Sequence, residues 1–107
     1  MIWLVALYNP PEDPAAFDAH YREVHAPIVR RYPGLRALRL TSPDGVGGRP
    51  PAVHLLAEMG FDSRADLDAA LASDAARESA RDLRTFASAG VSLLVVDEAT
   101  VETDERA

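Results

Sequence analysis

Apolar and polar positions divide the chain into four strand-length apolar runs and two longer stretches with helical spacing. Ile2 to Tyr8 is continuously apolar, rich in strand formers and closed by Asn9-Pro10-Pro11, which predicts a strand covered on both faces. Leu35 to Thr41 alternates, with Leu38 and Leu40 on one face and Arg36 joining them near the edge, and predicts a partly exposed second strand. Val53 to Phe61 predicts a third, with His54 and Glu58 sharing one face and Val53, Leu55, Ala57, Met59 and Phe61 the other. Val91 to Val96 predicts a fourth. The segment from Ser42 to Ala52, with three glycines and three prolines, predicts a mobile hairpin connection. Its glycines match neither a Walker A nor a dinucleotide fingerprint.

Asp13 offers a side-chain cap and Pro14 suits a first helical turn, so the first helix is predicted from there to about Tyr32, ahead of Pro33-Gly34. With Phe17 at zero on a helical wheel, Val24 and Ile28 fall within about 20°, and Tyr21 and Tyr32 within about 60° on one side. His20 lies about 60° to one side of this stripe's centre line and His25 about 80° to the other, so both rings border whatever the stripe covers. His25 follows Tyr21 by four residues, within side-chain reach. Pro27 has no N–H for the carbonyl of Glu23, and its ring displaces that carbonyl, which predicts a kink or a change of helix type beside His25. Ser63 and Asp66 are spaced as a capping box ahead of Leu67, Ala70 and Leu71. Ser73-Asp74 supplies a second cap, and Ala76, Ala80, Leu83, Phe86 and Ala87 continue a helical face to Ala89-Gly90.

The order strand, helix, strand, strand, helix, strand is the ferredoxin-like βαββαβ arrangement, an α+β fold with a four-stranded antiparallel sheet. Two helices cover one face of such a sheet. A wet second face calls for alternation, and three of the four strands do not alternate. The second face is therefore expected to meet a copy of itself, giving a homodimer through the apolar sheet face.

The chain has 107 residues, enough for one domain, and 48% of them are hydrophobic, which argues against disorder. We expect that domain to span 1–97, with 98–107 as an acidic tail. Eleven basic residues against seventeen acidic ones give a net charge of −6, which argues against nucleic acid and anionic membranes as partners. The absence of cysteine excludes disulfides, thiol catalysis, thiolate zinc sites and cysteine-ligated iron–sulfur clusters. No signal peptide or membrane span is read, so the expected location is cytoplasmic. His20 and His25 do not share a helix face as i, i+4 metal ligands would, and no third ligand is adjacent, so no metal or cofactor is expected; a single axial histidine for haem stays open.

Asp13-Pro14, Phe17, His20-Tyr21, His25-Ala26-Pro27 and Pro33-Gly34-Leu35, with Glu58, Phe61-Asp62-Ser63 and the closing apolar strand, resemble the EthD family of the dimeric α+β barrel superfamily. The resemblance covers strand one to strand four. It implies two sheets closing into a dimeric α+β barrel, and a small-molecule pocket between sheet and helices. Superfamily relatives include cofactor-free monooxygenases, cyclases, lactone isomerases and haem-processing proteins.

The expected function is a cofactor-independent enzyme of monooxygenase, cyclase or isomerase type, acting on a small apolar or aromatic molecule. Its alternatives are a non-catalytic binding or carrier dimer and a plain structural dimer. His25 or His20 would be the general base, because an imidazole beside an apolar pocket loses hydration and stays neutral. Tyr21 would orient the ring or donate to an oxyanion. Phe17, Val24, Ile28, Glu58 and Phe61 would contact the ligand, with the face used by Glu58 left open.

Overall fold

Strand β1 (Ile2–Tyr8) is the second-to-last strand of the sheet and the one on which its register depends. In the computed structural model, which describes residues 1–106, the strand order is β2-β3-β1-β4, with β2 at Ala37–Thr41, β3 at Leu55–Phe61 and β4 at Val91–Asp97. All neighbours are antiparallel, as the ferredoxin-like arrangement requires. Ile2 lies opposite Phe61 and Asp97, and Tyr8 opposite Leu55 and Val91. This register puts Ile2, Leu4, Ala6 and Tyr8 on one face with Leu55, Ala57, Met59 and Phe61, and all eight belong to the core beneath the helices. Ala107, the last residue of the expected acidic tail, lies outside the described residues. Among those residues no helix is long and apolar enough to cross a membrane.

Trp3, Val5 and Leu7 point to the opposite face with Glu58, Leu94 and Val96. There the Trp3 indole lies flat across Gly60, where a Cβ would come within 2.8 Å of the ring. The Arg39 guanidinium covers that ring at 4.2 Å, and the indole N–H donates to Glu98 at 2.6 Å. At the sheet's edge, β4 leaves Leu93, Leu94, Val95 and Val96 between 40% and 55% exposed.

The helices lie where their caps predict. Asp13 Oδ1 accepts from the Ala16 N–H at 3.1 Å and opens α1 (Pro14–His20). Ser63 caps α3 (Arg64–Leu71) and Ser73 caps α4 (Asp74–Phe86) in the same way. The long first helix is not uniform. Tyr21–His25 is a π-helical turn, in which the Ala26 N–H reaches back five residues to the Tyr21 carbonyl, and α2 (Ala26–Val29) then resumes ordinary winding. Pro27 accounts for the change of winding, because it cannot supply the N–H that a continuous α-helix would aim at Glu23. The helix ends near Tyr32 through i→i+3 bonds from Arg31 to Ile28 and from Tyr32 to Val29.

Strand β2 starts at Ala37, not Leu35, and strand β3 at Leu55, not Val53. His54, expected on the face of Glu58, keeps a backbone bond to Tyr8 at 2.8 Å but bends out of the ladder. Its ring turns to the helix side, where Nε2 lies 2.7 Å from Asp18 and the ring meets Phe17 edge-on.

Phe61 is fully buried on the helix side of the sheet. Phe61→Ala should lower stability by about 3–5 kcal/mol, read by urea unfolding.

Candidate functional site

The polar centre of the molecule lies between the π turn and α4. Asp82, on α4, presents one carboxylate oxygen to each of two histidines. Oδ2 lies 2.9 Å from His25 Nδ1, and Oδ1 lies 2.8 Å from His20 Nε2. Thr85 Oγ1 is the carboxylate's third donor and the second on Oδ1, at 3.1 Å. An ionised carboxylate only accepts, so each imidazole must donate an N–H to it. For His25 this places the proton on Nδ1 and leaves the Nε2 lone pair free of the carboxylate.

The helical wheel put His20 and His25 on opposite sides of the apolar stripe. The π turn overturns that placement: it adds one residue to the turn, so side chains five apart align and both rings converge on Asp82. The Phe86 ring lies against both, its centroid 4.7 Å from that of His20 and 4.9 Å from that of His25.

His25, whose Nε2 is directed away from Asp82 toward Ser79, lines an open-ended cavity of about 370 Å³ between the sheet and α4. Leu4, Ala6, Met59, Leu83, Leu93 and Val95 supply its apolar walls, and His25, Ser79, Tyr8 and Tyr32 contribute the polar atoms. No Asp, Glu, Lys or Arg lines it among the described residues. Burial pushes the His25 imidazole below its ordinary value, against the opposing pull of Asp82, so the ring is a neutral proton acceptor at pH 7. Burial drives the Tyr8, Tyr21 and Tyr32 phenols above their ordinary range, so all three stay protonated. Burial alone would raise Asp82, but the hydrogen bonds from His20 and His25 outweigh it and hold the carboxyl below its usual range.

Ser79 Oγ lies 3.5 Å from His25 Nε2, at the outer limit of a hydrogen bond. A serine–histidine–aspartate order is thus present, yet Ser79 is in the middle of α4, where main-chain N–H groups bond within the helix. No pair of free N–H groups is left there for an oxyanion. The arrangement suits proton transfer at Nε2 rather than acyl transfer through serine. Among the described residues no cluster of His, Asp or Glu is arranged to hold a metal ion.

The family model for the EthD domain matches residues 9–90. The chain belongs to the EthD family. An uncharacterised 11.0 kDa protein from the thcB–thcC intergenic region of Rhodococcus erythropolis is 40% identical over 101 residues, spanning 94% of this chain and 98% of that one. An EthD family protein from Bacillus halodurans shares the fold at TM-score 0.86 and 37% identity, covering 92% of this chain and 98% of its own. SnoaB from Streptomyces nogalater, described as a cofactor-independent oxygenase, shares the fold at TM-score 0.69 and 16% identity, covering 96% and 97%.

In this EthD chain the residues singled out from sequence scatter. His25 lines the cavity, whereas His20 is behind Asp82 in a second, surface groove with Phe17 and Phe86. Tyr21 is buried against the rings of Tyr8, His25 and Phe86. Ile28 and Phe61 are buried without lining the cavity, and Val24 is 42% exposed because the π turn rotates it outward. Glu58 is on the face away from the helices, 3.9 Å from Arg39, so the sheet itself separates it from His25. Asp82, Ser79 and Phe86 complete the site. The sequence places Phe86 on the apolar face of α4, and the signal for Ser79 and Asp82 is a polar pair spaced i, i+3 beside that face.

Both His25 and Asp82 bind protons more weakly in the folded chain than in the unfolded one. Unfolding therefore takes up protons, and stability rises with pH. The His25 contribution is complete above the ordinary histidine value of 6.5 and is lost as pH falls through it toward the lowered folded value. Thermal melts should show Tm declining from pH 7 to pH 5, with a shallower decline in His25→Gln.

Proposed function

We propose that this EthD protein is a cofactor-independent enzyme in which His25 takes a proton from a neutral, largely apolar or aromatic molecule. The observation that carries this reading is the His25–Asp82 pair, with Nδ1 committed to the carboxylate, Nε2 directed away from it and the ring lining an apolar cavity. A C–H or O–H acid seated there gives its proton to Nε2. The imidazolium so formed is stabilised by Asp82, as in other buried histidine–carboxylate pairs. The electron pair left on the substrate delocalises into its carbonyl or ring, where the Tyr32 and Ser79 hydroxyls are the available donors. The lack of cations on the walls favours a substrate that enters uncharged. The fold shared with SnoaB agrees with this reading at the level of architecture.

The working unit we propose is a homodimer. On the face away from the helices Leu94 and Val96 are exposed beside the buried Trp3 and Val5, and a standard interface hides about 800 Å² per partner. Two such faces meeting would close a dimeric α+β barrel with the cavities outside it, one under the helices of each subunit.

A neutral hydroxyaromatic probe whose anion absorbs at longer wavelength tests the base. The wild-type protein should bind it with a red shift at pH 7, and His25→Gln should bind it without one. On a turned-over substrate His25→Gln should lower kcat by about 10²–10⁴-fold. Binding with the same spectrum in both proteins would leave a carrier and no base. For the dimer, Val96→Glu should shift the mass seen by light scattering from two chains to one.

A further inference from the structure

His20 takes no part in the proposed proton abstraction, yet it holds half of the Asp82 carboxylate. Its side chain is 30% exposed, against 3% for His25, and it opens on a groove of about 340 Å³ formed with Pro11, Glu12, Asp13, Thr85 and Ser88. The two imidazoles therefore meet opposite environments, solvent on one side and the apolar cavity on the other, while sharing one negative charge.

We infer that His20 is a solvent-side positioning residue that sets the basicity of His25 through Asp82: the shared carboxylate compensates one imidazolium at a time. When His20 is charged, the carboxylate is already paired, and a second charge on His25 is opposed by the first. When His20 is neutral, Asp82 is free to stabilise the imidazolium that forms as His25 accepts a proton. The groove thereby reports external pH to a base that solvent barely reaches. Repulsion from His20 adds to burial in lowering His25, in keeping with this coupling.

The surroundings leave few other groups to carry the effect. Tyr8 from β1, Tyr21 from the π turn and Tyr32 beyond α2 stay protonated through the range in which histidines titrate. Arg30, which acts on Tyr21, keeps its charge throughout. Glu12 and Asp13 line the groove on the His20 side. Asp82 is ionised, which leaves the two imidazoles as the groups within the network that can change charge. The bearing on turnover rests on His25 acting as the base, whereas the coupling is measurable with no substrate.

NMR titration of the His25 imidazole in the full chain decides the matter. His20→Gln keeps a neutral N–H donor for Asp82 and removes the charge, so the His25 midpoint should move up. His20→Lys keeps a charge at this position throughout, so the midpoint should stay at or below that of the wild type. A rise in the first variant with no rise in the second supports the coupling. A rise in both, or in neither, overturns it, because a merely structural role disturbs both variants alike. Amide spectra show whether each variant is folded. If either is not, the wild-type curve decides: an inflection in the His25 titration where the His20 ring titrates supports the coupling, and a plain single-site curve overturns it. A red shift of the bound probe that survives alongside an uncoupled titration would leave His25 as the base and remove only the role of His20.

Discussion

The site depends on a single carboxylate. Asp82 is bound by His20 from the end of α1, by His25 from the end of the π turn and by Thr85 from its own helix. Hydrogen bonds to a charged group contribute about 1.5–3 kcal/mol each, so this residue also fastens the first helix to α4. The two histidines lie 62 and 57 residues away along the chain, which makes the network a tertiary clasp as well as a chemical one. Removing the carboxylate would strand a buried imidazole N–H and loosen the helix pair together. Catalytic and structural consequences of any change at this position are therefore intertwined.

Much of the fold was legible because local and global preferences agree. The strand β1, the caps at Asp13, Ser63 and Ser73, and the stops at Pro33-Gly34 and Ala89-Gly90 each carry their own physical reason. The site was less legible. An ideal helical wheel assumes constant winding, so it separated two histidines that the Pro27-linked π turn brings together. Pro27 announced that winding would change, but not that the outcome would be one extra residue rather than a kink. Asp82 and Ser79 carry no local mark of their role, because a single aspartate or serine on a helix is ordinarily solvated; only the partner helix shows why they point inward. Glu58 shows the converse limit, since alternation fixed its neighbours without saying which face would receive the helices.

The two faces of the sheet have different tasks. The helix side joins a packed core around Phe61 and Leu67 to a cavity bounded in part by β4. The other side is apolar but carries an organised polar group, in which Arg39 covers Trp3 and also approaches Glu58, while Glu98 accepts from the indole. Such a cluster offers directional contacts on an otherwise greasy surface, the kind of feature that selects one packing angle among several of similar apolar area.

The π turn also makes spacing a constraint independent of residue identity. Between His20 and His25 the chain has a fixed number of links, and loss of one would let the segment relax into regular winding and carry His25 away from α4. The connection from Ser42 to Ala52 has no comparable restriction, because it supplies no residue of that clasp and can lengthen at small entropic expense. Divergent members of this lineage should thus differ freely in the length of their β2–β3 hairpin while keeping the interval between their two imidazoles unchanged.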